Sequence, residues 1–343
     1  MVDSKELFEF LRKARKEEEL LKKFSISKND LRKVLRRPIK GYDLFPLYNT
    51  HGEMLYRYCA LPEKLEIKPR IWRCVLSEDE RIPYQVVNFP DNIDWKRITI
   101  VPLYDIQWGS TGNDEKKLDE YIRFIEKTEN AFGFFGGDIL QNALINSPGG
   151  SVFDQIIRPK EQGPTFIKKF QPIAHKILWA FTGNHEARTE KVADINPLNF
   201  VCRDMGIPYF DQPVYTDINW KGHTFRFFTQ HGTSGAGTPG GRVNAAMRPV
   251  IFTEFTNFYI MGHVNDVFTN PNIRVCRERI YEVKKGKKVL KEIRLIEREQ
   301  YIVIAPSFET YHGTYAARAA LTPFATGDVS CRLNADGSYE VTE

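Results

Sequence analysis

Ile177-Leu178-Trp179-Ala180-Phe181-Thr182-Gly183-Asn184-His185-Glu186 reads as a buried strand that ends in a polar tip. Residues 177–182 have the length and near-continuous apolar character of a strand covered on both faces. Gly183 then allows the backbone a close approach or a tight turn. Asn184, His185 and Glu186 follow at once, and all three can ligate a metal or handle a proton.

The same grammar recurs on both sides of this block. Upstream, an apolar run at 97–103 leads to Asp105-Ile106-Gln107, a helix is predicted over 113–131, and a strand at 133–137 delivers Asp138. A second helix is expected over 165–175, before the strand at 177–182. Strand, helix, strand, helix, strand, with polar residues at the carboxyl ends, places a ligand site where open α/β sheets put one. Downstream the pattern turns β-rich. Strands are expected at 214–219 and 224–230, the latter ending at His231-Gly232. A helix over 242–255 precedes a strand at 257–261 that ends in Gly262-His263-Val264-Asn265. Two long strands, 273–283 and 289–304, and a C-terminal hairpin over 328–341 complete the pattern. Five metal-competent blocks at five successive strand ends describe a two-metal hydrolase site, and phosphoester hydrolysis is its leading chemistry.

Composition narrows the alternatives. With 343 residues, 42% hydrophobic and 13% aromatic, the chain suits a large globular core, which excludes a disordered chain. No apolar stretch reaches the ~20 residues of a membrane span, and the first twenty residues are too charged for a signal peptide. Cys59, Cys74, Cys202, Cys276 and Cys331 are odd in number and scattered without CxxC spacing, so neither a disulfide framework nor a zinc-thiolate site is expected. A cytoplasmic location is the expectation, the host cytoplasm if the chain is phage-encoded. Charge is uneven: residues 1–97 hold 21 Lys+Arg against 16 Asp+Glu, and the remainder is neutral. Between Arg12 and Lys40, twelve basic residues face four acidic ones. Such a run fits a polyanion contact or a solvated helical face.

That basic region, residues 1–61, is expected to be a small α+β appendage. A helix over 4–24 is broken by Ser25-Ile26-Ser27. Ser27 is suited to cap a second helix near 28–37, whose outward residues Arg32, Lys33, Arg36 and Arg37 are candidate nucleic-acid contacts. A hairpin with strands at 44–48 and 54–60 follows, an order partly like a winged helix-turn-helix module. Residues 62–97, punctuated by prolines, form a connector able to supply edge strands. The catalytic domain is expected over 98–343.

The five blocks resemble the calcineurin-like metallophosphoesterase superfamily, whose pattern is D-x-H, G-D, G-N-H-[DE], H and G-H-x-H. The match spans roughly 98–305, and the variant with glutamine in the first block, followed by Trp108 and Gly109, looks most like phage-encoded DNA-repair-exonuclease-like members. The resemblance implies a four-layer αββα sandwich carrying two divalent metals. It makes Asp138 the bridging ligand, with Asn184, His231 and His263 completing one metal group. Asp105, Gln107 and Asn265 complete the other, and His185 is the non-ligand histidine that serves the leaving oxygen. A hydroxide shared by the metals would attack phosphorus in line.

Gln107 and Asn265 depart from the pattern, standing where the family has histidines. Losing both imidazoles leaves an all-oxygen group, expected to be weak or to favour Mn²⁺ or Mg²⁺. The histidine-containing group would take Mn²⁺, Fe²⁺ or Zn²⁺, with Mn²⁺ the leading expectation overall. The chain therefore reads as a metal-dependent phosphodiesterase or nuclease acting on nucleic acid. A small-molecule phosphodiesterase or phosphomonoesterase, and a catalytically weak DNA-binding scaffold on the same fold, are the alternatives.

Overall fold

The computed structural model describes residues 4–11, 15–28, 30–31, 42–48, 54–60, 67–77, 82–145, 147, 155–233, 238–284, 286–311, 317 and 328–343. The chain divides into two compact units, Met1–Glu66 and Ile67–Glu343.

In the first unit, helices Ser4–Leu11 and Glu17–Phe24 flank strand β1 (Arg15–Lys16), and a hairpin of β2 (Tyr42–Tyr48) and β3 (Met54–Ala60) follows. The sheet order is β1-β3-β2. The helix expected over 4–24 is thus interrupted, since Arg15 and Lys16 pair with Tyr56 and Leu55 instead of continuing it. Leu7, Leu11, Leu20 and Leu31 form a small core. The Ser27 hydroxyl accepts the Asp30 N–H at 3.2 Å, as an N-cap should. Arg32, Lys33, Arg36 and Arg37 lie outside the described residues.

The second unit holds thirteen strands among its described residues. In chain order they begin with β4 (Arg73–Leu76), β5 (Tyr84–Asn88), β6 (Arg97–Leu103), β7 (Ala131–Phe135), β8 (Ile177–Phe181) and β9 (Tyr209–Phe210). Then come β10 (Val214–Trp220), β11 (His223–Gln230), β12 (Phe258–Met261), β13 (Phe268–Lys284), β14 (Lys287–Ile304), β15 (Ser330–Asn334) and β16 (Tyr339–Thr342). They make a seven-stranded mixed sheet, β13-β14-β12-β11-β10-β5-β4, and a six-stranded mixed sheet, β16-β15-β6-β7-β8-β9. Strands β6 to β9 run parallel, and β15 closes against β6 in the antiparallel sense.

The main core draws from both sheets: Ile98, Ile100, Phe134 and Trp179 from one, Val87, Ile218, Phe227 and Ile260 from the other. Phe134 stacks on Trp179 with centroids 4.5 Å apart. A second core joins Val101, Leu103 and Phe135 to apolar residues of helices Glu115–Lys127, Pro159–Phe170 and Pro197–Met205. Leu118, Ile122 and Ile125 supply the inward stripe of the first of these, which Asp114 caps by accepting the Lys117 N–H at 3.0 Å. A third core sets Ala245 and Ala246, on helix Pro239–Met247, with Phe228, Tyr259 and Ile302. Single helices expected over 165–175 and 242–255 are differently bounded. Pro159 opens the first at its N-terminus, and it tightens into a 3-10 turn at Gln171–Lys176. The second stops at Met247 because Pro249 has no N–H to continue it, and a four-residue turn, Pro249–Phe252, follows. Among the described residues no helix is long and apolar enough to cross a membrane.

Candidate metal centre

Asp105 lies two residues beyond β6, Asp138 three beyond β7 and Asn184 three beyond β8, all on the six-stranded sheet. His231 follows β11 directly and His263 lies two residues beyond β12, both on the seven-stranded sheet. The two sets of strand ends are tied together. Asp105 Oδ2 accepts the His263 N–H at 2.8 Å, and the buried Tyr104 hydroxyl donates to the Ile260 carbonyl at 3.2 Å. The segments bend sharply to achieve this: Asp105, Gln107, Asp138, His263 and Asn265 all have positive φ. Gly183 is needed for space, since a Cβ there would land on the Asp138 amide and carboxylate. Gly137, at φ 83°, would carry a Cβ into Gly183 and the His231 ring.

Around His231 the chemistry is concentrated. Its Nδ1 is 3.0 Å from the Gly136 carbonyl, which can only accept, so Nδ1 carries a proton. In the neutral ring Nε2 is therefore a lone pair. Facing it are Asn184 Oδ1 at 3.0 Å, Asp138 Oδ2 at 3.1 Å and His263 Nδ1 at 3.3 Å. Asp138, His231 and His263 place ligand atoms within 4.8 Å of one another, a cluster that could hold a metal ion. One N–H on Nε2 cannot serve the Asn184 and Asp138 oxygens equally, whereas a divalent cation would take both oxygens and both imidazole nitrogens. A proton is the weaker substitute for that cation. Burial opposes a charge on His231, but Asp138 and Asp105 overcome it and push the imidazole up to about 10. Asp138 answers in kind: burial pushes it up, yet His185 and His231 together hold it well below the usual carboxylate range.

Asp105, Gln107 and Asn265 lie beside this cluster. Burial, with Asp138 and Glu309 adding to it, pushes the Asp105 carboxyl up to about 7. Asn265 Oδ1 is buried and has no hydrogen-bond partner among the described residues. A buried carbonyl oxygen without a donor is costly, and a cation there would satisfy it. Asp138, His231 and His263 could thus hold a metal ion, and Asp105, Gln107 and Asn265 add side-chain oxygens beside them.

His185 stands against Asp138 without joining the ligand atoms. Its N–H donates to Asp138 Oδ1 at 2.8 Å, its Nε2 is 3.6 Å from Asp138 Oδ2, and its Nδ1 is 3.0 Å from the Gln141 carbonyl. Burial lowers its imidazole to about 4, with the Arg188 charge acting in the same direction against Asp138. Glu186 is fully buried and accepts four backbone N–H groups, from Asp138, Ile139, Leu140 and Gly183, at 2.8–3.1 Å. It therefore staples two strand-end loops and binds no ligand directly.

Sequence reasoning passes over Glu309, Gln141 and Asn142. Glu309 follows β14 by five residues, and β14 neighbours β12, so the signal that locates the other blocks is present there too. Asn142, at φ 42°, ties the His185 carbonyl and the Thr189 hydroxyl together through its amide, at 2.8 and 2.7 Å.

No protein-family model and no curated protein matches this sequence. Among solved structures, the chain is similar to the crystal structure of Pseudomonas putida nuclease MPE. That alignment has 12% identity and a TM-score of 0.30, over 88% of this chain and 100% of that one.

Proposed function

We propose that this chain is a metal-dependent phosphodiesterase of the calcineurin-like metallophosphoesterase type, acting on nucleic acid. On this reading the Ile67–Glu343 unit is the four-layer αββα sandwich of that superfamily. The observation that carries the proposal is the set of Asn184 Oδ1, Asp138 Oδ2 and His263 Nδ1 around His231 Nε2. Asp138, Asn184, His231 and His263 would hold one cation, and Asp105, Gln107, Asp138 and Asn265 the other. Bound, the two would activate a water and neutralise the non-bridging phosphate oxygens.

The chain's own residues do the rest. Glu186 and the positive-φ loops fix the ligands before substrate arrives, so that little reorganisation remains for the reaction. His185 is neutral in the free protein because it is buried. An arriving phosphodiester brings negative charge that raises its proton affinity, and Nε2 is the atom left open to carry a proton to the leaving oxygen. The basic run between Arg12 and Lys40, including Arg32, Lys33, Arg36 and Arg37, supports nucleic acid as the substrate class.

The test is hydrolysis of an aryl phosphodiester against titrated Mn²⁺, with Asp138→Asn alongside. Turnover that needs Mn²⁺ and is lost in the variant is the expected result; no turnover with any divalent metal would sink the reading. Replacing Arg32, Lys33, Arg36 and Arg37 with alanine should flatten the salt dependence of DNA binding. The log–log slope should shrink by about 0.9 for each DNA phosphate that is no longer neutralised. An unchanged slope would instead favour a small phosphoester substrate.

A further inference from the structure

Three acceptor oxygens crowd one side of the Gln107 amide: Glu309 Oε1 at 3.1 Å, Glu309 Oε2 at 3.2 Å and Gln141 Oε1 at 3.1 Å. The amide nitrogen belongs on that side, because a carbonyl oxygen there would face lone pairs alone. Gln107 is only 6% exposed and Glu309 9%, so bulk water does not relieve a wrong orientation. Glu309 is itself held. Ser110 Oγ donates to Glu309 Oε1 at 3.0 Å, and the Glu309 N–H donates to Ser307 Oγ at 3.1 Å. That serine hydroxyl donates in turn to the Asp105 carbonyl at 3.3 Å. One chain of hydrogen bonds therefore connects Glu309 to the backbone of one candidate ligand and the side chain of another.

We propose that Glu309, with Gln141, is a positioning residue that commits the Gln107 amide nitrogen and leaves its oxygen as the atom offered to a cation held with Asp105, Asp138 and Asn265. The inference rests on the metal reading above. An amide binds a hard cation through oxygen and repels it through its NH₂ group. With no imidazole at 107 or 265, the orientation of Gln107 decides whether this group presents four oxygen donors or three. The Glu309 carboxylate accepts from Ser110 and, in this orientation, from Gln107, and the double-mutant cycle below separates action through Gln107 from direct ligation.

Mn²⁺ binding to the full chain, counted by electron paramagnetic resonance and by calorimetry, tests this without any turnover. Two classes of site are expected in the wild type. Glu309→Gln turns an amide nitrogen toward Gln107 and so accepts the flipped orientation. It should weaken the oxygen-only site by at least about tenfold, with the histidine-containing site unmoved. In a Gln107→Ala background the same change should cost nothing further, as a double-mutant cycle reads it. Glu309→Asp, which keeps the charge and withdraws it by one methylene, should also lose the oxygen-only site and covers the case in which Glu309→Gln does not fold. Wild-type binding in either single variant overturns the proposal. A loss that persists in the Gln107→Ala background also overturns it, because Glu309 would then be a ligand. A wild-type chain that binds no Mn²⁺ at all defeats the metal reading itself, an outcome distinct from two sites indifferent to Glu309.

Discussion

Six of the nine described non-glycine residues with positive φ belong to the candidate centre: Asp105, Gln107, Asp138, Asn142, His263 and Asn265. Each left-handed residue costs about 1 kcal/mol or more, so their concentration marks a site where geometry is held against local preference. The holding groups are identifiable. Glu186, buried under four N–H donors, is the largest of them. Glu186→Gln would turn an NH₂ group onto N–H donors, and we expect a loss of roughly 3 kcal/mol, read from urea unfolding at neutral pH. A cost below about 0.5 kcal/mol, the range of an ordinary surface change, would contradict the stapling role. Gly183→Ala should both lower the melting temperature and abolish Mn²⁺ binding, since its methyl group meets the Asp138 carboxylate. Calorimetric titration of the folded variant checks this, and wild-type affinity would count against the geometry described.

At the level of elements, legibility in the sequence follows apolar periodicity. The strands that deliver Asp105, Asp138, Asn184 and His263 are readable as apolar runs bounded by polar residues, and the one that delivers His231 by Phe225, Phe227 and Phe228. Helices Glu186–Ala193 and Pro197–Met205 escape such a reading. The first is short, weakly amphipathic and begins inside a block whose residues point to chemistry. The second carries readable punctuation: Asn196 caps it by accepting the Leu198 N–H at 3.1 Å, Pro197 is its first residue and Gly206 ends it at φ 63°. Pairing is less legible than existence, because no local pattern tells β5 to lie parallel to β10 or β15 to close on β6. The β13–β14 ribbon illustrates a different limit. Its alternation continues beyond the sheet, where Ile273, Val275, Ile293 and Leu295 share a face and are each more than half exposed. The sequence alternates as a half-buried strand does, but no other layer among the described residues covers this part. Replacing 281–291 with a two-residue turn should leave the melting temperature within about 2 °C, as core contributions come only from the root near Gln300–Ile304. A larger fall in a thermal melt would mean the distal ribbon stabilises the core.

For the whole molecule, acid sensitivity has a specific source away from the centre. Burial, with Lys176, Lys68 and Arg70 reinforcing it, lowers His175 to about 4 from an ordinary 6.5, and its buried Nδ1 has no partner among the described residues. The unfolded chain then binds the proton more readily than the folded one between these values. The stability is complete above about pH 6.5 and is lost as pH falls through the window toward 4. His175→Gln should flatten the wild-type decline across that window, read as urea midpoints at successive pH values. A decline identical in both proteins would assign it elsewhere. Metal should act in the opposite sense: chelation is expected to lower the melting temperature, and Mn²⁺ at about a thousandfold excess over Kd to restore roughly 4 kcal/mol.

The candidate ligand atoms come from the ends of both sheets, Asp138 and Asn184 from one, His231 and His263 from the other. A cation bound among them would therefore be a clasp between the two sheets at that end. Without it, the proton that His231 shares with Asp138 is the weaker tie, and the two layers should breathe at that end while remaining shut at the other. Native-state hydrogen exchange would show this as Mn²⁺-dependent protection confined to amides near Gly136, Gly262 and Ala305. Uniform protection along the strands would mean that the packed aromatic core alone sets how far the layers part.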